Sequence, residues 1–105
     1  MALKITDENY EKYLFNHSKP VVLDFWAQWC GPCKTVSDSI ESLATEYGEK
    51  VIMGKIDVDA NPKLTAMFGV RNMPTVLFVK NKEVLNKHVG STSKLVLEEK
   101  LKLIL

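Results

Sequence analysis

The chain has little cysteine and almost no excess charge. Only two of its 105 residues are cysteines, which excludes a small scaffold held together by several disulfides. The 14 basic and 13 acidic side chains leave a formal net charge of +1. Because a surface for nucleic acid or anionic lipid needs an excess of positive charge, we expect neither nucleic acid nor a membrane as a partner.

Long apolar runs and targeting signals are also missing. No apolar run approaches the ~20 residues that a membrane-spanning helix needs. The N-terminal stretch turns acidic at Asp7 and lacks the basic start and apolar centre of a signal peptide, and the end at Leu105 is not an ER-retention tail. We therefore expect a cytoplasmic protein. In that reducing compartment a close pair of cysteines is more often catalytic or metal-binding than structural.

The residues that are present indicate one globular domain over residues 1–105. Apolar residues make up 46% of the chain and charged residues 26%. The apolar patterns predict the order β-α-β-α-β-α-β-β-α, and alternating strands and helices favour parallel pairing with an antiparallel hairpin at the end. We expect an α/β fold with a five-stranded mixed β-sheet flanked by four α-helices. The predicted strands cover residues 2–5, 21–26, 51–58, 75–79 and 84–89.

Capping residues and glycines mark the predicted helix ends. Thr6 or Asp7, then Asn61 before Pro62, and finally Ser93 are candidate N-caps. Gly48 and Gly69 are candidate stops. Turns are predicted over residues 16–20 and at Asn81-Lys82. The expected apolar faces of the first, third and fourth helices are Tyr10, Tyr13 and Leu14; Leu64, Met67 and Phe68; and Leu97, Leu101, Ile104 and Leu105.

The two cysteines lie three residues apart, where the apolar strand 21–26 leads into an amphipathic helix. Cys30 and Cys33 enclose Gly31-Pro32, and a C-x-x-C at such a place is a candidate redox motif. Cysteines at this spacing in the first turn of a helix have Cα atoms roughly 5–6 Å apart, which a disulfide can bridge. The ring is too small to add much loop-entropy stabilisation, so the bond should break and re-form easily.

The helix N-terminus distinguishes the two thiols. Unpaired N–H groups, the helix dipole and nearby Lys34 favour a thiolate at Cys30 and should lower its pKa. Cys33 lies one turn deeper and should be less exposed. We therefore expect Cys30 to attack a substrate disulfide and Cys33 to resolve the mixed disulfide. Gly31 would let a partner backbone come close, and Pro32 would stiffen the first turn.

A metal site is the main alternative for the cysteine pair. A structural zinc site needs four ligands, and only His17 and His88 could complete one. Neither histidine has ligand spacing to the cysteines or to the other, so we expect no metal. An iron–sulfur site shared by two chains, or a Cys–His hydrolase, has still less support, since nothing in the sequence brings a histidine to Cys30.

Asp24 is the one carboxylate in the apolar strand that leads to the cysteines. If it is buried, its pKa is raised and it can accept a proton near neutral pH. It could then act as a base for Cys33, directly or through a water. The alternative is a carboxylate that faces solvent from the strand.

These motifs resemble the thioredoxin family along the whole chain. The stretch from Asp24 to Lys34, Asp-Phe-Trp-Ala-Gln-Trp-Cys-Gly-Pro-Cys-Lys, is similar to the family signature, and four later blocks match in order and spacing. Those blocks are Asp57–Pro62, Met73–Thr75, Phe78–Asn81 and Val89-Gly90. The chain departs from the common pattern at Asp38, where many members have a helix-kinking proline, and at Lys82, where Gly is frequent.

The resemblance also implies roles for residues outside the motif. Lys55 would lie near Asp24 and tune it, unless it is an ordinary exposed lysine. The Met73–Pro74 bond would be cis and face the cysteines, with Met73 backbone groups pairing with a substrate strand. Met73 could equally serve only in apolar packing. The groove would be completed by Trp29, Pro32 and Gly90.

The function that we expect is that of a protein-disulfide reductase and dithiol electron carrier in cell redox homeostasis. The resemblance implies a chain without a bound cofactor, re-reduced by the flavoprotein thioredoxin reductase with NADPH and acting on disulfide-containing client proteins. We expect a monomer. An oxidase or isomerase, or a non-catalytic binding subunit, are the alternatives.

Overall fold

The computed structural model describes residues 1–15 and 18–105. Asn16 and His17 lie outside the described residues, so the predicted turn over 16–20 is covered only in part. The elements follow the predicted order, with bounds within a few residues of those expected. They are β1 Leu3–Lys4, α1 Tyr10–Leu14, β2 Val21–Trp26, α2 Cys33–Tyr47, β3 Ile52–Asp57, α3 Pro62–Met67, β4 Thr75–Lys80, β5 Glu83–Val89 and α4 Lys94–Lys102.

The five strands form one mixed sheet in the order β1-β3-β2-β4-β5. The pairs β1/β3 and β2/β3 are parallel, whereas β2/β4 and β4/β5 are antiparallel. The expectation of parallel pairing up to the last hairpin is therefore wrong for β4. With six residues, α3 is only about 9 Å long, against roughly 20 Å for a six-residue strand. The start of β4 at Thr75 pairs with Phe25, next to the end of β3 at Asp57, so β4 starts at the end of the sheet where β3 stops and runs the other way.

The sheet has a hydrophobic core on each face. Alternation along β2 sends Val21, Leu23 and Phe25 to the face covered by α1 and α3, and Val22 to the face covered by α2 and α4. Asp24 follows Val22 by two residues, so its side chain lies on the same face of the sheet, which α2 covers. This places the carboxylate under the helix that begins at Cys33.

Contacts at the N-terminal segment differ from the expected capping. Thr6 Oγ1 accepts from the N–H groups of Glu8 and Asn9 in the turn before α1, but the N-cap residue of α1 is Asn9, whose side chain makes no cap hydrogen bond. Asp7 instead accepts from Lys63 N at 3.1 Å and Leu64 N at 2.9 Å, at the start of α3. Asn61 is the N-cap residue of α3 and Pro62 its first residue, as predicted, but the Asn61 side chain makes no cap hydrogen bond. Its Oδ1 accepts from Asp7 N, which joins the N-terminal segment to α3.

Several helix ends also differ from the sequence interpretation. Since α4 stops at Lys102, Leu105 is 45% exposed, and Met67 is equally exposed at the end of the short α3. Both were expected to be buried. Gly48 follows α2 with a right-handed φ of −57°, whereas Gly69 ends α3 with the left-handed φ of +65° that glycine favours. The predicted cap Ser93 is confirmed, since its side chain accepts from Val96 N.

The two departures from the family pattern have different structural outcomes. Helix α2, which contains Asp38, is continuous from Cys33 to Tyr47. In the β4–β5 hairpin, Asn81 and Lys82 have φ values of 53° and 65°, so Lys82 occupies the left-handed region that suits glycine. The turn is thus less favourable, as expected. Within the described residues, no helix has the length and apolar character needed to cross a membrane.

Candidate active site at the start of helix α2

Cys30 and Cys33 are joined by a disulfide, with their Cα atoms 5.4 Å apart as the spacing predicted. Helix α2 begins at Cys33, with Pro32 as its N-cap residue. Cys30 therefore lies in the turn before the helix and not within its first turn, but its bond to Cys33 holds its sulfur at the helix N-terminus. Cys33 is 2% exposed, whereas Cys30 is half-buried. The predicted difference in exposure between the two cysteines is confirmed.

Asp24 is completely buried between β2 and α2, with 0% of its surface exposed. The alternative of a solvent-facing carboxylate is therefore wrong. Ser37 Oγ donates a hydrogen bond of 2.6 Å to Asp24 Oδ2, and Asp24 Oδ1 accepts none from the described residues. Burial raises the pKa of Asp24 from 3.8 to about 6, against the opposing effects of the Ser37 hydrogen bond and the Lys55 charge. A carboxyl group with this pKa can change its charge near neutral pH.

Lys55 lies beside Asp24 on the neighbouring strand. The two residues are Cα partners in the β2/β3 register, as the family resemblance implied. Lys55 Nζ is 3.6 Å from Glu41 Oε2 on α2 and 5.9 Å from the centroid of the Trp26 ring. Its side chain is 27% exposed, so this lysine is neither fully buried nor an ordinary solvent-facing one.

An open cavity of about 290 Å³ lies beside the cysteine pair and is also lined by Ser37 and Lys55. Since a water molecule occupies ~30 Å³ in the liquid, the space admits several. Cys30, Cys33 and Ser37 all line this cavity, whereas Asp24 does not and is linked to it through its hydrogen bond with Ser37. The lining residues are Trp26, Ala27, Gln28, Cys30, Cys33, Lys34, Ser37, Asp38 and Lys55.

The predicted groove residues form a second group. The Met73–Pro74 bond is cis, and Gly90 N donates to Pro74 O at 2.8 Å, which fixes Gly90 beside the proline. Met73 packs against the same core cluster as Cys30. Among the described residues, the cavity lining beside Asp24 includes neither Met73, Pro74 nor Gly90. The predicted groove residues Met73, Pro74 and Gly90 and this cavity are thus different parts of the surface.

Trp29 is mostly exposed, at 68%, and its position is fixed by a hydrogen bond. Its indole Nε1–H donates to Asp59 Oδ2 at 2.9 Å. Gly31 and Pro32 are exposed beside it, and a Cβ built on Gly31 meets nothing within 4 Å. The surface around Cys30 is therefore open, with a large aromatic ring held at one side.

Sequence reasoning missed three polar residues at the site, namely Ser37, Glu41 and Asp59. For Ser37 a signal existed, because a residue four positions after Cys33 lies on the same face of the helix. Glu41 follows Ser37 by a further four residues and lies on the same face of the helix. For Asp59 the sequence offered no such signal, since no periodicity connects it with Trp29, 30 residues earlier.

No group of three or more His, Cys, Asp or Glu side chains that could hold a metal occurs within residues 1–15 and 18–105. His88, one of the two candidate zinc ligands, lies on β5 of the β4–β5 hairpin. Its ring Nε2 is 3.3 Å from Ser91 O. The other candidate, His17, is outside the described residues. The two cysteines are bonded to each other.

Comparison with known proteins agrees with this site. A family model described as thioredoxin matches residues 1–103. The chain is 41% identical over 97 residues to the thioredoxin of Buchnera aphidicola subsp. Acyrthosiphon pisum (strain APS), covering 92% of this chain and 90% of that protein. It is 43% identical over 93 residues to the thioredoxin of Haemophilus influenzae (89% and 87% covered). The thioredoxin of Porphyra purpurea is 37% identical over 98 residues (93% and 92% covered).

These matches extend over nearly the whole chain, and they include the cysteine pair that the structure joins. The fold, a five-stranded mixed sheet with four helices, is the predicted one. Cys30 and Cys33 form the redox-active pair of a dithiol carrier, a protein-disulfide oxidoreductase whose substrates are disulfide-containing proteins. The chain belongs to the thioredoxin family.

Proposed function

We propose that this chain acts mainly as a reductase of protein disulfides, with Cys30 as nucleophile, Cys33 as resolving thiol and Asp24 as its base. The observation that carries the proposal is the arrangement of these three groups. Cys30 is half-buried and Cys33 is almost completely buried, and a buried carboxyl with a pKa of about 6 lies under the same helix. A reductase needs this difference in exposure, because the first thiol must contact the client disulfide. The second thiol must react only after the mixed disulfide has formed.

In the first step the Cys30 thiolate attacks one sulfur of the client disulfide. A bond forms between Cys30 Sγ and that sulfur, the client S–S bond breaks, and the second client sulfur leaves as a thiolate that takes up a proton. The helix N-terminus favours the thiolate of Cys30. The half-buried but open position of Cys30 agrees with a role in this step.

In the second step the Cys33 thiol gives its proton to the Asp24 carboxylate and attacks Cys30 Sγ. The mixed disulfide breaks, and the client sulfur leaves as a thiolate and is protonated. The client has then gained two electrons and two protons, and this chain holds the Cys30–Cys33 disulfide that the structure contains. Asp24 later releases its proton to the neighbouring cavity, which Cys33 and Ser37 line.

In this proposal the client protein docks on the groove residues. Met73 backbone groups would pair with an extended client segment, with Pro74 and Gly90 beside it and Trp29 covering its other side. Gly31 and Pro32 would form the open rim through which a client backbone approaches Cys30. The Gly90–Pro74 hydrogen bond and the exposed Trp29 ring support this assignment.

Lys55 has the role of adjusting the pKa of Asp24. Its positive charge opposes the effect of burial and favours the ionised carboxylate, while Glu41 beside it acts in the opposite direction. A base must be ionised before it can accept a proton, so this charge supports the proposed role of Asp24.

The electron donor in this proposal is a flavoprotein thioredoxin reductase supplied with NADPH, and the setting is the cytoplasm. Both cysteines belong to the redox pair, and none remains for a structural disulfide. No cofactor bound to this chain is needed, because the two electrons reside on the sulfur atoms.

Reduction of a model protein disulfide tests the proposal directly. With NADPH and a thioredoxin reductase, we expect catalytic NADPH consumption that is lost in Cys30→Ser. Cys33→Ser should capture the client as a mixed disulfide on Cys30, whereas Cys30→Ser should capture none. A redox potential well above that of the glutathione pool would favour an oxidase. Function that survives the double substitution to serine would favour a binding subunit.

A further inference from the structure

We propose that Ser37 is a positioning residue for the proton transfer between Cys33 and Asp24, holding one carboxylate oxygen so that the other exchanges the proton. The inference rests on the proposed function, because it assumes that Asp24 is the base. It assigns the two oxygens of Asp24 different tasks. Oδ2 is held by the Ser37 hydroxyl at 2.6 Å, and Oδ1 is free of protein hydrogen bonds within the described part of the chain.

The position of Ser37 on α2 makes this arrangement possible. It follows Cys33 by four residues, so both side chains lie on one face of the helix, one turn apart. Cys33 and Ser37 also line the same cavity. The Ser37 hydroxyl thus stands next to the resolving thiol along the helix while it reaches the carboxylate on β2.

The hydrogen bond decides which oxygen is the better proton acceptor. A donor to a carboxylate oxygen stabilises negative charge there and makes that oxygen a weaker base. Since Ser37 donates to Oδ2, the proton from Cys33 goes to Oδ1. The bond also restricts rotation of the carboxyl group, so that the free oxygen keeps one orientation during the transfer.

Charged side chains also lie near Asp24 on the neighbouring elements. Lys55 on β3 and Glu41 on α2 face the carboxyl group and shift its pKa in opposite directions, Lys55 with the larger effect, but neither donates a hydrogen bond to it among the described contacts. Lys34 and Asp38 line the outer cavity, and the β4 partner of Asp24 is the apolar Val76. Ser37 is the described side chain that donates a hydrogen bond to Asp24.

The test compares Ser37→Ala with Ser37→Thr, which keeps the hydroxyl. The pKa of Asp24 is measured by carbon-13 NMR of its carboxyl group, and resolution is measured as release of the second client thiol in a single turnover. In Ser37→Ala we expect the pKa to rise above about 6 and the pH profile of resolution to move upward with it. Resolution near neutral pH should slow about two- to tenfold, the range for loss of one net hydrogen bond. Ser37→Thr should restore both readouts.

Asp24→Asn separates failure of this inference from failure of the proposed function. If Asp24→Asn leaves the rate and pH profile of resolution unchanged, the proposed base role is wrong, and the role of Ser37 fails with it. If Asp24→Asn slows resolution but Ser37→Ala moves neither the pKa nor the profile, only the Ser37 inference is wrong. An equal loss of rate from Ser37→Ala in the Asp24→Asn background would show a merely structural role and would also overturn it.

Discussion

The buried carboxyl of Asp24 should make the protein less stable at neutral pH than at acidic pH, and Asp24→Asn should abolish this effect. The pKa of Asp24 is about 6 in the folded protein, against 3.8 as its ordinary value. Between these two values the folded protein binds more protons than the unfolded chain, so the free energy of unfolding falls as pH rises. The loss is complete above the folded pKa and absent well below the unfolded one.

The size of the effect follows from the two pKa values. A difference of about two units corresponds to roughly 3 kcal/mol, since each unit is worth about 1.36 kcal/mol. Because Asp24 has no exposed surface, solvent screening does not reduce this figure appreciably. A small domain has a total stability of about 5–15 kcal/mol, so the effect is a large fraction of the whole.

Chemical denaturation of the oxidised protein and of Asp24→Asn, over about pH 4 to pH 8, measures the effect. Asparagine has nearly the shape of aspartate but does not ionise, and its buried amide adds a cost that does not vary with pH. The difference in unfolding free energy between the two proteins should therefore shift by about 2–3 kcal/mol in favour of asparagine as pH rises. Other titrating groups are common to both proteins and cancel. A difference that stays flat across this range, or shifts toward aspartate, would refute the reasoning.

Two further predictions concern contacts that the sequence did not reveal. Asp7→Ala removes the acceptor for two N–H groups at the start of α3 and should lower the free energy of unfolding by about 1–2 kcal/mol, with a smaller loss in Asp7→Asn; a denaturation midpoint equal to that of the unaltered protein would contradict this. Asp59→Ala should speed hydrogen exchange of the Trp29 indole N–H while changing global stability by less than about 0.5 kcal/mol, and Asp59→Asn, which keeps an acceptor, should change the exchange less. Equal exchange rates in all three proteins would show that the bond does not hold the ring in solution.

The order of elements and the redox pair could be predicted because both are local features. Apolar runs such as Val21–Trp26 and the helical spacing after Cys33 identify their elements without knowledge of the rest of the chain. The direction of β4 could not be read in this way, since it depends on the path of the whole segment between β3 and β4 through the assembled fold. The exposed Leu105 has a similar cause, because α4 ends three residues before it.

Side-chain partners were harder to predict when the sequence separation was large. The contacts of Asp7 with α3 span more than 50 residues, and that of Trp29 with Asp59 spans 30. Neither pair shares an element or a periodicity, so only the assembled fold brings them together. Ser37 differs, because its helical position relative to Cys33 was available from spacing. What spacing could not supply was the side of the sheet on which Asp24 would meet it.

The polar neighbours of Asp24 explain how a destabilising residue can serve the proposed chemistry. Burial acting without opposition can raise the pKa of a carboxyl by three to five units, which would leave it protonated at neutral pH and unable to accept a proton. Ser37 and Lys55 both oppose that effect, and the resulting pKa is about 6. At neutral pH the carboxyl is then mostly ionised, while its proton affinity is still well above that of an exposed aspartate. A base for the Cys33 thiol needs both properties, and an apolar residue in place of either neighbour would raise the pKa and reduce the ionised fraction at neutral pH.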